Sequence, residues 1–315
     1  MASPALTLDP AKFSDPSLTA RGEARAAVGL GALRTLWFNT GSRCNISCRE
    51  CYVDSGPRDD RLAYLSVADV LPYLDEVEER DGVVAEIGFT GGEPFMTPHI
   101  LPLLSLCLER GFGVLVLTNA MAPLRRHRTA LAEIGHRFGR RLAVRVSLDH
   151  YTAERHESLR GPGTFAQALE GLQWLVEGGF RVSVAGRARW DESDQSLRQG
   201  FARLLGRLAV PVDAADPASL VLFPEMTPGR DVPEITTACW GILGKAPETV
   251  MCASSRMVLR RTGAEAPVVV ACTLLPHDPR FELGATLAEA NRPVPLVHPY
   301  CAQFCVLGGG ACSIG

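Results

Sequence analysis

The segment Cys44-Asn-Ile-Ser-Cys48-Arg-Glu-Cys51-Tyr52 carries three thiols within eight positions, with an aromatic ring directly after the last. Thiols this close together either bind a metal or risk oxidation. A structural zinc site takes four ligands, commonly as paired C-x-x-C knuckles, and no fourth Cys or His follows nearby here. A [4Fe–4S] cubane normally takes four thiolates, one per iron. With three, one iron keeps open coordination positions, and the missing ligand leaves a place for a small molecule. A second group, Cys252, Cys272, Cys301, Cys305 and Cys312, falls in the last quarter of the chain. Cys107, within the apolar stretch LPLLSLCLERG, reads as a core residue behaving as a small hydrophobe.

Positioning such a site requires a scaffold, and the chain alternates between two textures from residue 36 onward. Short apolar or β-branched runs at LWFNT (36–40), AEIGFT (85–90), GVLVLT (113–118), LAVRVSL (142–148), RVSVAGRA (181–188) and SLVLFP (219–224) suit strands of a parallel sheet. Helical patterns lie between them, bounded by signals such as Ser66 or Thr164 before and Gly111 or Gly178 after. About six βα units predict an α/β fold, a partial (β/α)6 TIM-like barrel, with a doubly wound flat sheet as the alternative. The expected organisation is an N-terminal extension over 1–35, the barrel over 36–230, and a small Cys-rich α+β domain over 231–315. Parallel α/β folds bind ligands at the carboxyl ends of their strands. The cysteine triplet, GGEP (91–94), TNA (118–120), SLDH (147–150), RAR (187–189) and PEM (224–226) each follow one strand and would meet at one mouth.

The triplet C-x-x-x-C-x-x-C with its following aromatic, placed after the first strand of a partial barrel, resembles the radical S-adenosylmethionine (SAM) superfamily. That resemblance implies that Cys44, Cys48 and Cys51 hold a [4Fe–4S] cluster and that Tyr52 packs beside the adenine of SAM. It also implies that FTGGEP supplies Gly91, Gly92 and Glu93 to the SAM amino group. Paired glycines let a backbone approach a ligand closely, and a carboxylate complements an ammonium. Ser147 would then meet the SAM carboxylate or ribose. Asn119 matches the position ending the third strand, with Ala120 where a glycine is usual. Arg187 and Arg189 could reach a carboxylate of SAM or substrate, or serve as partner charges at the strand end. Asp149, His150 and Arg160 are further candidates in the same region.

Cys252 and Cys272 flank an expected β-hairpin with RTGAEAP as its turn. Together with the three later cysteines, this resembles the SPASM or twitch extensions of radical SAM enzymes, implying one auxiliary [4Fe–4S] cluster held by four of the five. Cys239 is a sixth thiol in this part. His277 and His298 read as hydrogen-bonded surface residues.

Composition narrows the rest. A hydrophobic fraction of 46% with 21% charge suits a soluble globular chain, and a net charge of -3 gives no pull toward nucleic acid or an anionic membrane. Neither a secretory signal nor an apolar run of spanning length is visible, so a cytoplasmic location is expected. The expected function is reductive cleavage of SAM and hydrogen-atom abstraction from a small-molecule or peptide substrate, with a flavodoxin- or ferredoxin-type reductant. The roughly 35 residues before the first strand are fewer than the usual leader-peptide module of such families, which tilts the expectation toward a small molecule or short peptide. The alternative is a non-catalytic iron–sulfur electron-transfer or metal-binding protein.

Overall fold

The computed structural model describes residues 7–79 and 84–312; residues 1–6 of the N-terminal extension, 80–83, and 313–315 of the tail lie outside them. One short strand, β1 (Ala27–Val28), comes first. Six strands then run in parallel: β2 (Thr35–Asn39), β3 (Glu86–Thr90), β4 (Gly113–Thr118), β5 (Leu142–Ser147), β6 (Arg181–Ala188) and β7 (Leu220–Pro224). They pair in chain order and form the expected partial barrel.

Alternation along these strands explains the barrel's interior. Leu36, Phe38, Ile87, Phe89, Val114, Val116, Val144 and Val146 are fully buried. Phe38 stacks on Phe89 at 5.8 Å and meets Tyr73 of the helix Val67–Glu79 edge-on at 6.5 Å, which marks this set as the helix-facing side. The opposite set includes the small or polar Gly88, Thr90, Ala143, Ser147 and Ala185 beside the larger Trp37, Leu115 and Leu117. Trp37 fills the bore beside Gly88, where an added Cβ would stand 2.3 Å from its ring. Small inward side chains leave space above that plug, toward the carboxyl ends of the strands.

The sheet does not stop at six strands. β8 (Ser255–Leu259) pairs in parallel with β2, β9 (Val268–Val270) returns antiparallel as the expected hairpin, and β10 (Glu282–Gly284) follows antiparallel. The Cys-flanked hairpin therefore extends the barrel's own nine-stranded sheet. On the far edge, the π-helical segment Cys301–Leu307 lies beside β7, and Gly308 and Gly310 press against Pro224. β11 (Val294–Pro295) pairs with β1, tying the N-terminal extension to the tail. Arg25 locks that contact by pairing with Glu234 at 2.5 Å and donating to the Leu296 carbonyl. Among the described residues no helix is long and apolar enough to cross a membrane.

Candidate active site

The loop leaving β2 lays Cys44, Cys48 and Cys51 across the barrel mouth. Cys44 is buried and the other two are half-buried. The turn after β3 is pressed against this loop: a Cβ on Gly92 would stand 2.0 Å from the Arg43 carbonyl oxygen, and one on Gly91 2.6 Å from that of Gly41. Gly91 also has φ +140°, which side chains rarely adopt. Both glycines are required by this close approach.

Glu93 is 2% exposed. Its carboxylate accepts hydrogen bonds from the Phe95 N–H (3.1 Å), the Thr118 hydroxyl (2.7 Å) and the Asn119 N–H (2.8 Å). Burial pushes its pKa up against these bonds. Three of about four lone-pair positions are used, so one acceptor position remains for a ligand. Asn119 carries the contact onward by donating to Asn45 Oδ1 at 2.8 Å. Ala120, next in line, sits at φ +58°, the left-handed geometry a glycine would take without cost.

Charged side chains build the other wall. Arg160 grips Asp149 through two hydrogen bonds, 2.8 and 2.9 Å, and Arg187 Nε lies 3.4 Å from the same carboxylate. Burial opposes the Asp149 charge, yet the Arg160 and Arg187 guanidiniums outweigh it and hold the carboxyl down to about 2. Arg187 stands 4.1 Å over the Tyr52 ring, a cation–π contact. The Tyr52 hydroxyl donates to the Pro224 carbonyl at 2.9 Å. Arg189 is taken up by Glu50 and Glu225 (3.1 Å) at the rim, as a strand-end partner charge. His150 bonds Thr152 and Glu192 outside the cleft.

One cleft of about 140 Å³ is lined by the three cysteines, Tyr52, Gly91, Gly92, Glu93, Asn119, Ser147, Asp149, Arg160 and Arg187. Phe223, Thr273 and Leu274 also line it and were not anticipated; only their neighbours, the strand end at Pro224 and Cys272, carried a signal. The donor set fits a three-thiolate cluster. Burial and the Glu93 charge push the Cys44 thiol up to about 12, and burial raises Cys48 as well. A metal binding here must therefore displace protons.

The tail cysteines divide. Cys252, Cys272, Cys301 and Cys305 surround a separate small cavity of about 20 Å³ otherwise lined by apolar residues such as Phe281 and Leu296. Burial raises Cys252 to about 11 and Cys272 to about 12, and lifts Cys301 and Cys305 as well. The set is complete as four thiols. Cys312 lies instead on the wall of the barrel cleft, where the Thr273 hydroxyl donates to its sulfur at 3.2 Å and Arg145 holds its carbonyl at 2.7 Å. Cys239 takes hydrogen bonds from Thr236 and lines neither space, and Cys107 is buried in its helix. Among the described residues no three His, Cys, Asp or Glu side chains close on one point as around a single ion; the thiols stand around spaces. His298 accepts from the Tyr300 N–H at 3.0 Å, as expected of a bonded histidine, and the half-buried His277 has the Val53 backbone as its neighbouring partner among the described residues.

Residues 38–188 match the family model of the Radical SAM superfamily. Mycofactocin maturase MftC of Mycobacterium tuberculosis (strain ATCC 25618 / H37Rv) is 32% identical over 159 residues, covering 50% of this chain and 38% of that protein. Antilisterial bacteriocin subtilosin biosynthesis protein AlbA of Bacillus subtilis (strain 168) is 31% identical over 149 residues, covering 47% and 32%. The chain thus matches about a third of these relatives' length. Among solved structures, Streptococcus suis SuiB bound to precursor peptide SuiA aligns with a TM-score of 0.60 at 13% identity, over 89% of this chain and 71% of that one. This last likeness is one of fold.

Proposed function

We propose, on the premise that this chain carries a radical SAM domain over residues 38–188, that it is a radical SAM enzyme modifying a peptide. The observation that carries the reading is the convergence of three thiols, the glycine turn with buried Glu93, and the Asp149–Arg160–Arg187 cluster on one cleft. Cys44, Cys48 and Cys51 would hold a [4Fe–4S] cluster, with SAM on the open iron. When bound, these two supply a 5′-deoxyadenosyl radical for hydrogen-atom abstraction. Glu93 offers a carboxylate to the SAM ammonium, Ser147 and Arg187 polar contacts to its carboxylate or ribose, and Tyr52 an apolar face to the adenine. Asp149 keeps the guanidiniums of Arg160 and Arg187 in place beside the thiol loop.

Cys252, Cys272, Cys301 and Cys305 would hold an auxiliary [4Fe–4S] cluster in the 231–315 domain. Cys312 stays outside that set. A peptide substrate is supported by the relatives: MftC is a maturase, AlbA serves bacteriocin biosynthesis, and SuiB is seen with a precursor peptide. The electron would come from a flavodoxin- or ferredoxin-type reductant, in the cytoplasm, where ten thiols stay reduced. Anaerobic reconstitution with SAM and dithionite tests the reading. Formation of 5′-deoxyadenosine is expected, and none from a fully iron-loaded protein would overturn it.

A further inference from the structure

Aromatic rings join the two thiol groups. Tyr52 directly follows Cys51, and Phe304 directly precedes Cys305. The centroids of these two rings lie 6.1 Å apart, edge to face at 81°. Phe223, near the end of β7, meets both, at 6.1 Å from Tyr52 and 5.6 Å from Phe304. Phe304 is fully buried and lines neither the active-site cleft nor the tail cavity. Tyr52 and Phe223 do line the cleft, so whatever holds Phe304 also holds part of the cleft wall.

Phe304 belongs to the π-helical segment Cys301–Leu307, whose Cys301 and Cys305 face the tail cavity. A π-turn is a rare backbone geometry, so its side chains must hold it. Gln303 does so through the Thr227 backbone: its Oε1 accepts from the N–H at 2.8 Å, and its Nε2 donates to the carbonyl at 3.3 Å. Gly310 packs on the Phe304 ring, where an added Cβ would stand 2.6 Å from it. The other anchors are Cys301 and Cys305, free thiols that are tied to Cys252 and Cys272 only once a common group bridges the four. On the cleft side, the Tyr52 hydroxyl rests on the Pro224 carbonyl and Arg187 covers its ring, which leaves the two phenyl rings to fix its tilt.

We propose that Phe304 is a positioning residue: filling the tail thiol site sets the π-helical turn, and Phe304, with Phe223, then holds Tyr52 in the orientation that receives SAM. This rests on the radical SAM reading above and adds that the tail site acts on SAM affinity as well as on iron content and stability. The two sites are coupled because both bias the same packed ring.

Calorimetric titration of SAM into anaerobic, iron-loaded protein tests the coupling. Phe304→Leu keeps an apolar side chain in the core but removes the ring contacts, which are worth more than their area alone. It should retain the parent's roughly eight irons per chain and bind SAM about tenfold more weakly. Cys301→Ala with Cys305→Ala should lose the tail iron and weaken SAM binding to the same extent. Combining the three substitutions should add nothing further, because all act through one side chain. Phe304→Met takes the place of the leucine variant if iron content or Tm shows that the latter is damaged. Wild-type SAM affinity in the Cys301/Cys305 variant would overturn the proposal by itself, as would wild-type affinity in a folded, iron-replete Phe304 variant or full additivity of the two losses. The underlying reading is judged separately, by whether wild type binds SAM and makes 5′-deoxyadenosine.

Discussion

The two thiol groups of this protein are built in opposite ways. Cys44, Cys48 and Cys51 come from one loop and look into an open cleft whose walls carry Glu93, Asp149, Arg160 and Arg187. Cys252, Cys272, Cys301 and Cys305 come from three distant segments and look into a small apolar cavity. An incomplete ligand set beside polar walls leaves room for a reacting molecule. A complete set in an apolar enclosure excludes one and suits electron storage or fold stabilisation. On the function proposed above, the missing fourth ligand, not proximity in sequence, would separate chemistry from support.

The sharpest way to break that comparison is to remove each group in turn. Replacing Cys44, Cys48 and Cys51 together by Ala should abolish 5′-deoxyadenosine formation while leaving roughly four iron and four sulfide per chain, the content of one cubane. A folded triple variant devoid of iron would mean that the tail thiols bind no cluster. The pair Cys252→Ala and Cys272→Ala should lose about half of the parent's roughly eight irons. It should also lower Tm, because the hairpin these residues flank is part of the barrel sheet and metal binding energy is folding energy. Cys312→Ala should keep the full iron content. If it lost as much iron as the Cys252/Cys272 variant, the division of the tail cysteines would be wrong.

That division was not legible in the chain, and the reason is physical. The six parallel strands announce themselves through local apolar runs, and each lies within a residue or two of its expected span. The triplet needs no tertiary information either, since its ligands share one loop. The tail differs. Cys252 and Cys272 meet because β8 and β9 pair, and Cys301 and Cys305 because a π-helical turn puts them on one side, whereas Cys312 is turned away by Thr273 and Arg145. No spacing rule encodes those choices. Hairpin pairing was readable, but its docking against β2 was not, because edge partners are selected by the whole sheet.

A smaller perturbation sharpens the polar side of the comparison. Asp149→Asn leaves two buried guanidiniums without their countercharge, and breaking such a pair costs about 3–5 kcal/mol. The folded carboxyl titrates at about 2, below the usual value near 3.9 of an unfolded chain. Its contribution is therefore complete above about pH 4 and is lost as pH falls toward about 2. Urea unfolding of wild type and variant should differ most at pH 7 and converge in acid. A gap that stayed constant down to pH 2.5 would assign the loss to packing instead of charge.

Glu93 gives the finest cut, because its carboxylate serves both fold and ligand. The Phe95 N–H, the Thr118 hydroxyl and the Asn119 N–H all donate to it. Glu93→Gln keeps the shape but turns one oxygen into a donor, so at least one of these three loses its acceptor whichever way the amide faces. Some stability must fall, by about 1–3 kcal/mol. If the carboxylate also meets the SAM ammonium, affinity for SAM should drop by roughly ten- to a hundredfold, the value of one charge-assisted hydrogen bond. Thr118→Val separates the two effects, since it removes an internal donor and leaves the charge in place. Calorimetric titration of SAM into both iron-loaded variants decides between them. A much larger affinity loss for the Gln variant assigns Glu93 to SAM, whereas equal losses would reduce it to the clasp that joins the ends of β3 and β4.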